Sequence, residues 1–182
     1  MRIAATRQPA LAFLARLLYP GIVPGLQIEY HHGAVWLPQC ELWLDAPRAQ
    51  TGPERVFVSH AHADHIAAHR EVLLSAATAE LMRARLKAPP VKHRLDFGVP
   101  REFHTAGRPW RITLLPAGHI LGSAMAYIEA EGQSLLYTGD FNLRPSRTAE
   151  PCESRRADVL IMETTFGQPG YRFPPREAVW QD

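Results

Sequence analysis

The residues of this 182-residue chain best suited to chemistry lie together. His60, His62, Asp64 and His65 run as His-x-His-x-Asp-His. Imidazole nitrogens mixed with carboxylate oxygens form a donor set that suits zinc, with manganese or iron as further occupants. The spacing has a geometric sense. If a strand ends at Ser59 and the chain continues semi-extended, His60 and His62 point to one side and chelate one cation, while the Asp64-His65 pair turns toward a second position nearby. Two more residues stand just past apolar runs and among small residues: His119 in Leu115-Pro-Ala-Gly-His-Ile-Leu-Gly122, and Asp140 in Leu136-Tyr-Thr-Gly-Asp-Phe141. Alone, each is balanced between turn residue and ligand. The cluster tips both toward ligand, and Gly118 and Gly122 are expected to let backbone approach the metal closely.

Covalent catalysis has little to work with. Neither Cys40 nor Cys152 lies in a ligand motif, and no serine lies in a nucleophile-elbow pattern. The two cysteines are too few for a disulfide framework and are expected to be buried or half-buried thiols, which fits a reducing compartment.

The elements that must position these groups read as short strands with few helices. Residues 26–30, 34–37, 41–44, 55–58, 72–74, 111–115, 124–129, 134–137 and 158–162 are rich in branched and aromatic residues and are expected to be strands. Glu131-Gly132 is expected to close a hairpin between two of them. Residues 10–19 are expected to form a short amphipathic helix with Leu11, Leu14 and Leu18 on one face, and residues 76–87 a second helix ended by Pro89-Pro90. From Gly167 onward the chain turns rich in Gly and Pro. This alternation predicts an α/β or α+β sandwich with its functional residues on loops that follow strands.

Composition agrees with a folded domain: 46% hydrophobic, 21% charged, net charge +2. It excludes a disordered chain and a disulfide-stapled scaffold. The sequence pI of about 8.7 permits a polyanionic partner without demanding one. No run approaches the roughly 18 apolar residues of a membrane span, so the expectation is a cytoplasmic protein without membrane contact.

The order of these motifs resembles that of the metallo-β-lactamase superfamily: an Asp after a strand, here Asp45 in Glu41-Leu-Trp-Leu-Asp45, then residues 60–65, then His119, then Asp140. The resemblance runs from about Leu26 onward and implies an α/β fold of the αββα sandwich type. It implies two divalent metal ions, one held by His60, His62 and His119, the other by Asp64 and His65, with Asp140 bridging and Asp45 supporting the cluster without being a ligand. It also implies a last histidine beyond the bridging Asp, and no histidine follows His119. On this reading the second metal site is incomplete. The chain is then the N-terminal half plus the start of an insert, with residues 1–166 the front part of a hydrolase domain and 167–182 a Gly/Pro-rich connection.

A narrower resemblance lies in Val159-Leu-Ile-Met-Glu-Thr-Thr-Phe-Gly167, which is similar to the strand-plus-acid motif of the nuclease branch called β-CASP, with Glu163 as the acid. Residues 36–45 and 163–174 look most like the bacterial exonucleases associated with DNA ligase. Members of that branch process RNA 3′ ends or trim DNA and RNA, so the resemblance implies a nucleic-acid substrate and association with a DNA ligase or helicase. Two cations roughly 3.5 to 4 Å apart would share a water, lower its pKa and stabilise charge on a phosphodiester, with Asp64 orienting the attacking hydroxide. After Asp140, Arg144, Arg147, Arg155, Arg156, Arg172 and Arg176 are interleaved with Phe141, Phe166, Tyr171 and Phe173, a mixture that serves phosphate contact and base stacking or, equally, a solvated basic face. The rival readings are a thioesterase or lactonase on the same fold, and a metal-binding module without catalysis.

Overall fold

The structure is a computed structural model that describes residues 25–86, 91–165, 167–174 and 178. Its strands form two mixed sheets. β1 (Glu29–His31), β2 (Ala34–Leu37), β3 (Leu42–Leu44), β4 (Arg55–Phe57), β5 (Glu71–Ser75) and β6 (Val91–Leu95) lie side by side in that order. β7 (Arg101–Thr105), β8 (Arg108–Pro116), β9 (Ala124–Ala130), β10 (Gln133–Tyr137) and β11 (Val159–Ile161) make the second sheet, in the order β11-β10-β9-β8-β7. β1, β2 and β3 pair antiparallel, and β3 through β6 run parallel. The second sheet is antiparallel except for the parallel pair of β10 and β11.

Because successive side chains of a strand point to opposite faces, each apolar strand builds two interfaces at once. Leu42, Leu44, Phe57 and Leu73 face the second sheet and pack with Trp110, Ile112, Leu114, Ala126, Ile128 and Leu135. Their neighbours Val56, Val58, Val72 and Leu74 point the other way, against Ala79 and Met82 of the helix α1 (Ala76–Arg83). β4 and β5 are thus covered on both faces, which is why their sequence is a continuous apolar run. On the far side of the second sheet, Leu115, Met125 and Leu136 pack with Tyr127, Phe141, Cys152 and Ala157. The layers are helix, sheet, sheet, and a covering segment that follows Asp140. This is the expected α/β sandwich, with helix on one side.

Most of the expected strands are present to within two residues. The hairpin at Glu131-Gly132 is formed by two residues with positive φ, 51° and 74°, the conformation that a two-residue turn between twisted strands requires. Both thiols are free, Cys40 buried and Cys152 half-buried. Burial, then the charge of Glu131, pushes the Cys40 thiol up to about 12, and burial, then Glu153, raises that of Cys152, so both stay protonated at neutral pH.

Three expectations are corrected. The first strand is β1, not 26–30: Leu26 is buried off the sheet, with its N–H donated to Gln133 Oε1 at 2.8 Å. The helix expected to reach residue 87 ends at Arg83, because the N–H groups of Arg85 and Leu86 both turn to the carbonyl of Met82 and break the regular ladder. β6 and β7 were not expected. Each forms an edge of its sheet, where a polar sequence such as Lys92-His-Arg94 can keep its side chains at the surface. The helix expected over 10–19, with Phe166 and Arg176, lies outside the described residues. Among the described residues no helix is long and apolar enough to cross a membrane.

Candidate metal centre

Every candidate residue sits just beyond the carboxyl end of a strand: Asp45 after β3, residues 60–65 after β4, His119 after β8, Asp140 after β10 and Glu163 after β11. Two backbone bonds fix the loop after β4. His65 N–H donates to His62 C=O at 3.1 Å and closes its turn, and Ala124 N–H donates to Ser59 C=O at 2.8 Å, which ties the loop to the start of β9 in the other sheet.

Four of the expected ligands converge. His60, His62, His119 and Asp140 each present one donor atom, and these atoms all lie within 4.8 Å of one another. His60 Nε2 is 2.9 Å from His62 Nδ1, and His119 Nε2 is 3.2 Å from the same atom. Asp140 Oδ2 lies 3.8 Å from His60 Nε2 and 3.6 Å from His119 Nε2. Three imidazole nitrogens aimed at one point cannot all be satisfied by protons shared among themselves, since a shared proton serves one pair only. A divalent cation would satisfy all three lone pairs and the carboxylate together, and this donor set fits one.

The other oxygen of Asp140 faces a second group. His65 Nε2 is 3.7 Å from Asp140 Oδ1 and 3.7 Å from Asp64 Oδ2. Asp140 therefore stands between His65 and the three converging histidines. Asp64 is not drawn into the group of four, and its side chain is 80% exposed.

A layer of contacts behind the histidines sets their orientation. Asp45, 6% exposed, accepts Ser59 N–H on Oδ1 at 2.7 Å and the hydroxyl of Tyr137 on Oδ2 at 3.0 Å. Ser59 Oγ is 2.9 Å from His60 Nδ1, which leaves His60 Nε2 for the cluster. Glu163 points its carboxylate at backbone and hydroxyl groups: Oε1 accepts Phe141 N–H at 3.4 Å, directly after Asp140, and Oε2 accepts the Thr165 hydroxyl at 2.5 Å. Nothing in the local sequence marks Ser59 or Tyr137. A hydroxyl at a strand end and an aromatic in a strand are ordinary until the partner strand is known.

Burial and charge divide the histidines. Burial, and then neighbouring His65, draw His60 down to about 3, against a smaller pull upward from Asp45. His65 goes the other way. Burial would lower it, but Asp45 above all, then Asp140 and Asp64, hold it above the ordinary value. Burial lowers His119, with Asp140 opposing. For Glu163, burial is outweighed by bonds from Thr165 and Phe141, and its carboxyl lies below the usual range.

The two glycines beside His119 make room for neighbouring side chains and backbone. A Cβ at Gly118 would strike Asn142 C=O and Cys152, and one at Gly122 would strike Ala77, Ser75 and Thr78. Their smallness lets the His119 loop pack against its neighbours, a demand invisible without the tertiary contacts.

A two-sheet α/β sandwich with imidazoles and carboxylates gathered beyond its strand ends defines a metal-binding fold. Residues 43–178 match the family model of the metallo-beta-lactamase superfamily, and the chain belongs to that superfamily. It is 53% identical over 156 residues to a protein named "Probable DNA ligase" from Opitutus terrae, covering 85% of this chain and 15% of that protein. It is 36% identical over 136 residues to "5' exonuclease Apollo" from Gallus gallus, covering 71% and 29%. To an "RNase J-like protein" from Methanocaldococcus jannaschii it is 32% identical over 146 residues, covering 69% and 35%. The chain thus spans between 15% and 35% of the length of these relatives.

Proposed function

We propose that the chain carries the metal centre of a metal-dependent nuclease that hydrolyses phosphodiester bonds in DNA or RNA. The observation that carries the reading is the convergence of His60, His62, His119 and Asp140 on one point, with His65 on the other oxygen of Asp140. His60, His62 and His119 would hold one divalent ion, zinc by donor type, with Asp140 shared toward a second beside Asp64 and His65. When bound, such ions polarise phosphoryl oxygens and acidify water.

The chain's own residues supply orientation and proton handling. Asp45 and Ser59 fix the imidazoles behind the cluster. Asp64, largely exposed beside His65, orients the attacking water and accepts its proton. Glu163 holds the backbone next to Asp140 and so keeps the shared carboxylate in place. Arg144, Arg147, Arg155, Arg156 and Arg172 follow Asp140 and are exposed cations suited to a phosphate backbone.

Nucleic acid is preferred over a small ester because two similar proteins are named as an exonuclease and an RNase J-like protein. Similarity to a protein named as a DNA ligase supports association with that activity. The test is His62→Ala. The variant is expected to lose both metal uptake, read by elemental analysis, and cleavage of single-stranded DNA and RNA. Full nuclease activity in metal-free protein would overturn the reading.

A further inference from the structure

His119 sits on a loop that closes on itself. Ala117 N–H donates to Ser123 C=O at 2.9 Å, Ser123 N–H to Ile120 C=O at 2.9 Å, and Ser123 Oγ accepts the N–H groups of His119 at 3.0 Å and Ile120 at 3.2 Å. These bonds shape the loop but do not say where it stands relative to His60 and His62, which belong to a different sheet.

Besides the bond of Ala124 N–H to Ser59 C=O, Gly122 supplies such a connection through its main chain. Its carbonyl accepts the hydroxyl of Ser75, the last residue of β5, at 2.6 Å and that of Thr78, in the first turn of α1, at 3.0 Å; α1 packs on the sheet that leads into His60. Its N–H donates to Glu150 Oε2 at 2.9 Å, across 28 residues of sequence. Glu150 belongs to the segment that starts at Asp140, and that segment also meets the strand ahead of His119 through Asn142 N–H to Ala117 C=O and Glu153 N–H to Pro116 C=O, each 2.9 Å. One residue therefore joins three parts of the centre: the sheet with His60 and His62, the loop with His119, and the segment with Asp140. The left-handed φ of 76° at Gly122, with no room for a Cβ beside Ser75 and Thr78, fits a backbone held at a fixed distance.

We propose that Glu150 is a positioning residue for the metal centre: its carboxylate, acting on Gly122 N–H opposite Ser75 and Thr78 on Gly122 C=O, sets the placement of the His119 imidazole against His60 and His62. The proposal rests on the reading of these three histidines as metal ligands. Glu150 touches the peptide and not the imidazole, so its acceptor oxygen matters and its charge does not. A side chain of equal length that keeps an acceptor must therefore replace it, and one without an acceptor must not.

The experiment uses the full chain as wild type, Glu150→Gln and Glu150→Met, with Thr78→Val as a reading from the other side of Gly122. Cobalt(II) is the probe. Its affinity is measured by competition with a chelator, its ligand geometry by visible absorption, and the fold of each variant by circular dichroism. Glu150→Met is expected to bind cobalt on the order of tenfold more weakly than wild type and with an altered spectrum, whereas Glu150→Gln stays within about twofold. Thr78→Val is expected to weaken binding in the same direction by a smaller factor, and it reads the clamp if Glu150→Met does not fold. Glu150→Met with wild-type affinity and spectrum overturns the proposal, as does Glu150→Gln failing like Glu150→Met, or an unchanged Thr78→Val. Wild-type protein that binds no cobalt overturns the metal-site reading itself, an outcome distinct from the others.

Discussion

Asp45 Oδ2 stands 3.1 Å from His65 Nδ1, behind the face of the imidazole that looks toward Asp140. The same carboxylate binds Ser59 N–H and the Tyr137 hydroxyl, so one buried acid just past β3 fixes two residues of the loop after β4 and one of β10. A carboxylate that holds Nδ1 leaves Nε2 as the ligating nitrogen and raises its basicity. Asp45→Asn keeps the size but loses the charge. It is expected to weaken binding of the ion on the His65 side by about ten- to a hundredfold, with a smaller effect on the His60, His62 and His119 side. Metal content after dialysis against graded chelator checks this. Equal loss on both sides would count against it.

What was legible in the sequence follows from where partners lie. The residues at 60–65 fall within six positions, so their density signals a ligand set without any knowledge of the fold. His119 and Asp140 were legible because each follows an apolar run that had to be a strand. The groups that aim the ligands were not. Tyr137 meets Asp45 across 92 residues and Glu150 meets Gly122 across 28, and no local pattern carries such pairings. The edge strands β6 and β7 escaped notice for a related reason: they bury one apolar face only in part, and the alternation that reveals a strand weakens where solvent replaces a neighbour.

Gly139 precedes Asp140 with φ of 52°, and a Cβ there would lie 2.6 Å from Ser59 Cβ and 2.7 Å from Ser59 Oγ. The left-handed backbone alone costs a side chain about 1 to 2 kcal/mol, and the neighbour cannot yield without moving its bond to His60. Gly139→Ala is expected to lower stability by about 2 kcal/mol and to reduce metal affinity as well. Thermal unfolding of the apo and metal-loaded protein measures both. A variant as stable as wild type would show that the loop has room the geometry denies.

Glu71, on β5, takes Arg55 Nε at 2.6 Å and His93 Nε2 at 2.9 Å on one oxygen, which joins β4, β5 and β6 at the side of the sheet away from the metal centre. Burial would raise its carboxyl, but the bonds from Arg55 and His93 outweigh burial and hold it below the ordinary 4.5. A carboxylate depressed in the folded state contributes stability that is complete above the unfolded value and is lost as pH falls through the lowered one. Glu71→Gln is expected to cost about 1 to 2 kcal/mol at neutral pH and to flatten the fall in stability below about pH 4.5. Thermal midpoints of both proteins across an acid series test it, and curves that stay parallel would contradict the assignment.

The opposite shifts of His60 and His65 bear on how metal leaves. An imidazole binds a cation only when neutral, so the pKa of the apo site decides how strongly protons compete. His60, drawn to about 3 first by burial, is neutral throughout the range in which the protein is handled. His65, held above the ordinary 6.5 by Asp45 against burial and helped by Asp140 and Asp64, gains its proton earlier as pH falls. If two ions bind as proposed, the one beside His65 is expected to leave first on acidification, and the one on the His60, His62 and His119 side to persist to lower pH. Elemental analysis of protein dialysed at steps from about pH 8 to about pH 5 is expected to pass through a one-ion state before the last metal is lost. Release of both ions in a single step, or loss from the His60 side first as read by the cobalt spectrum, would show that the two positions are not separated by the charges around His65.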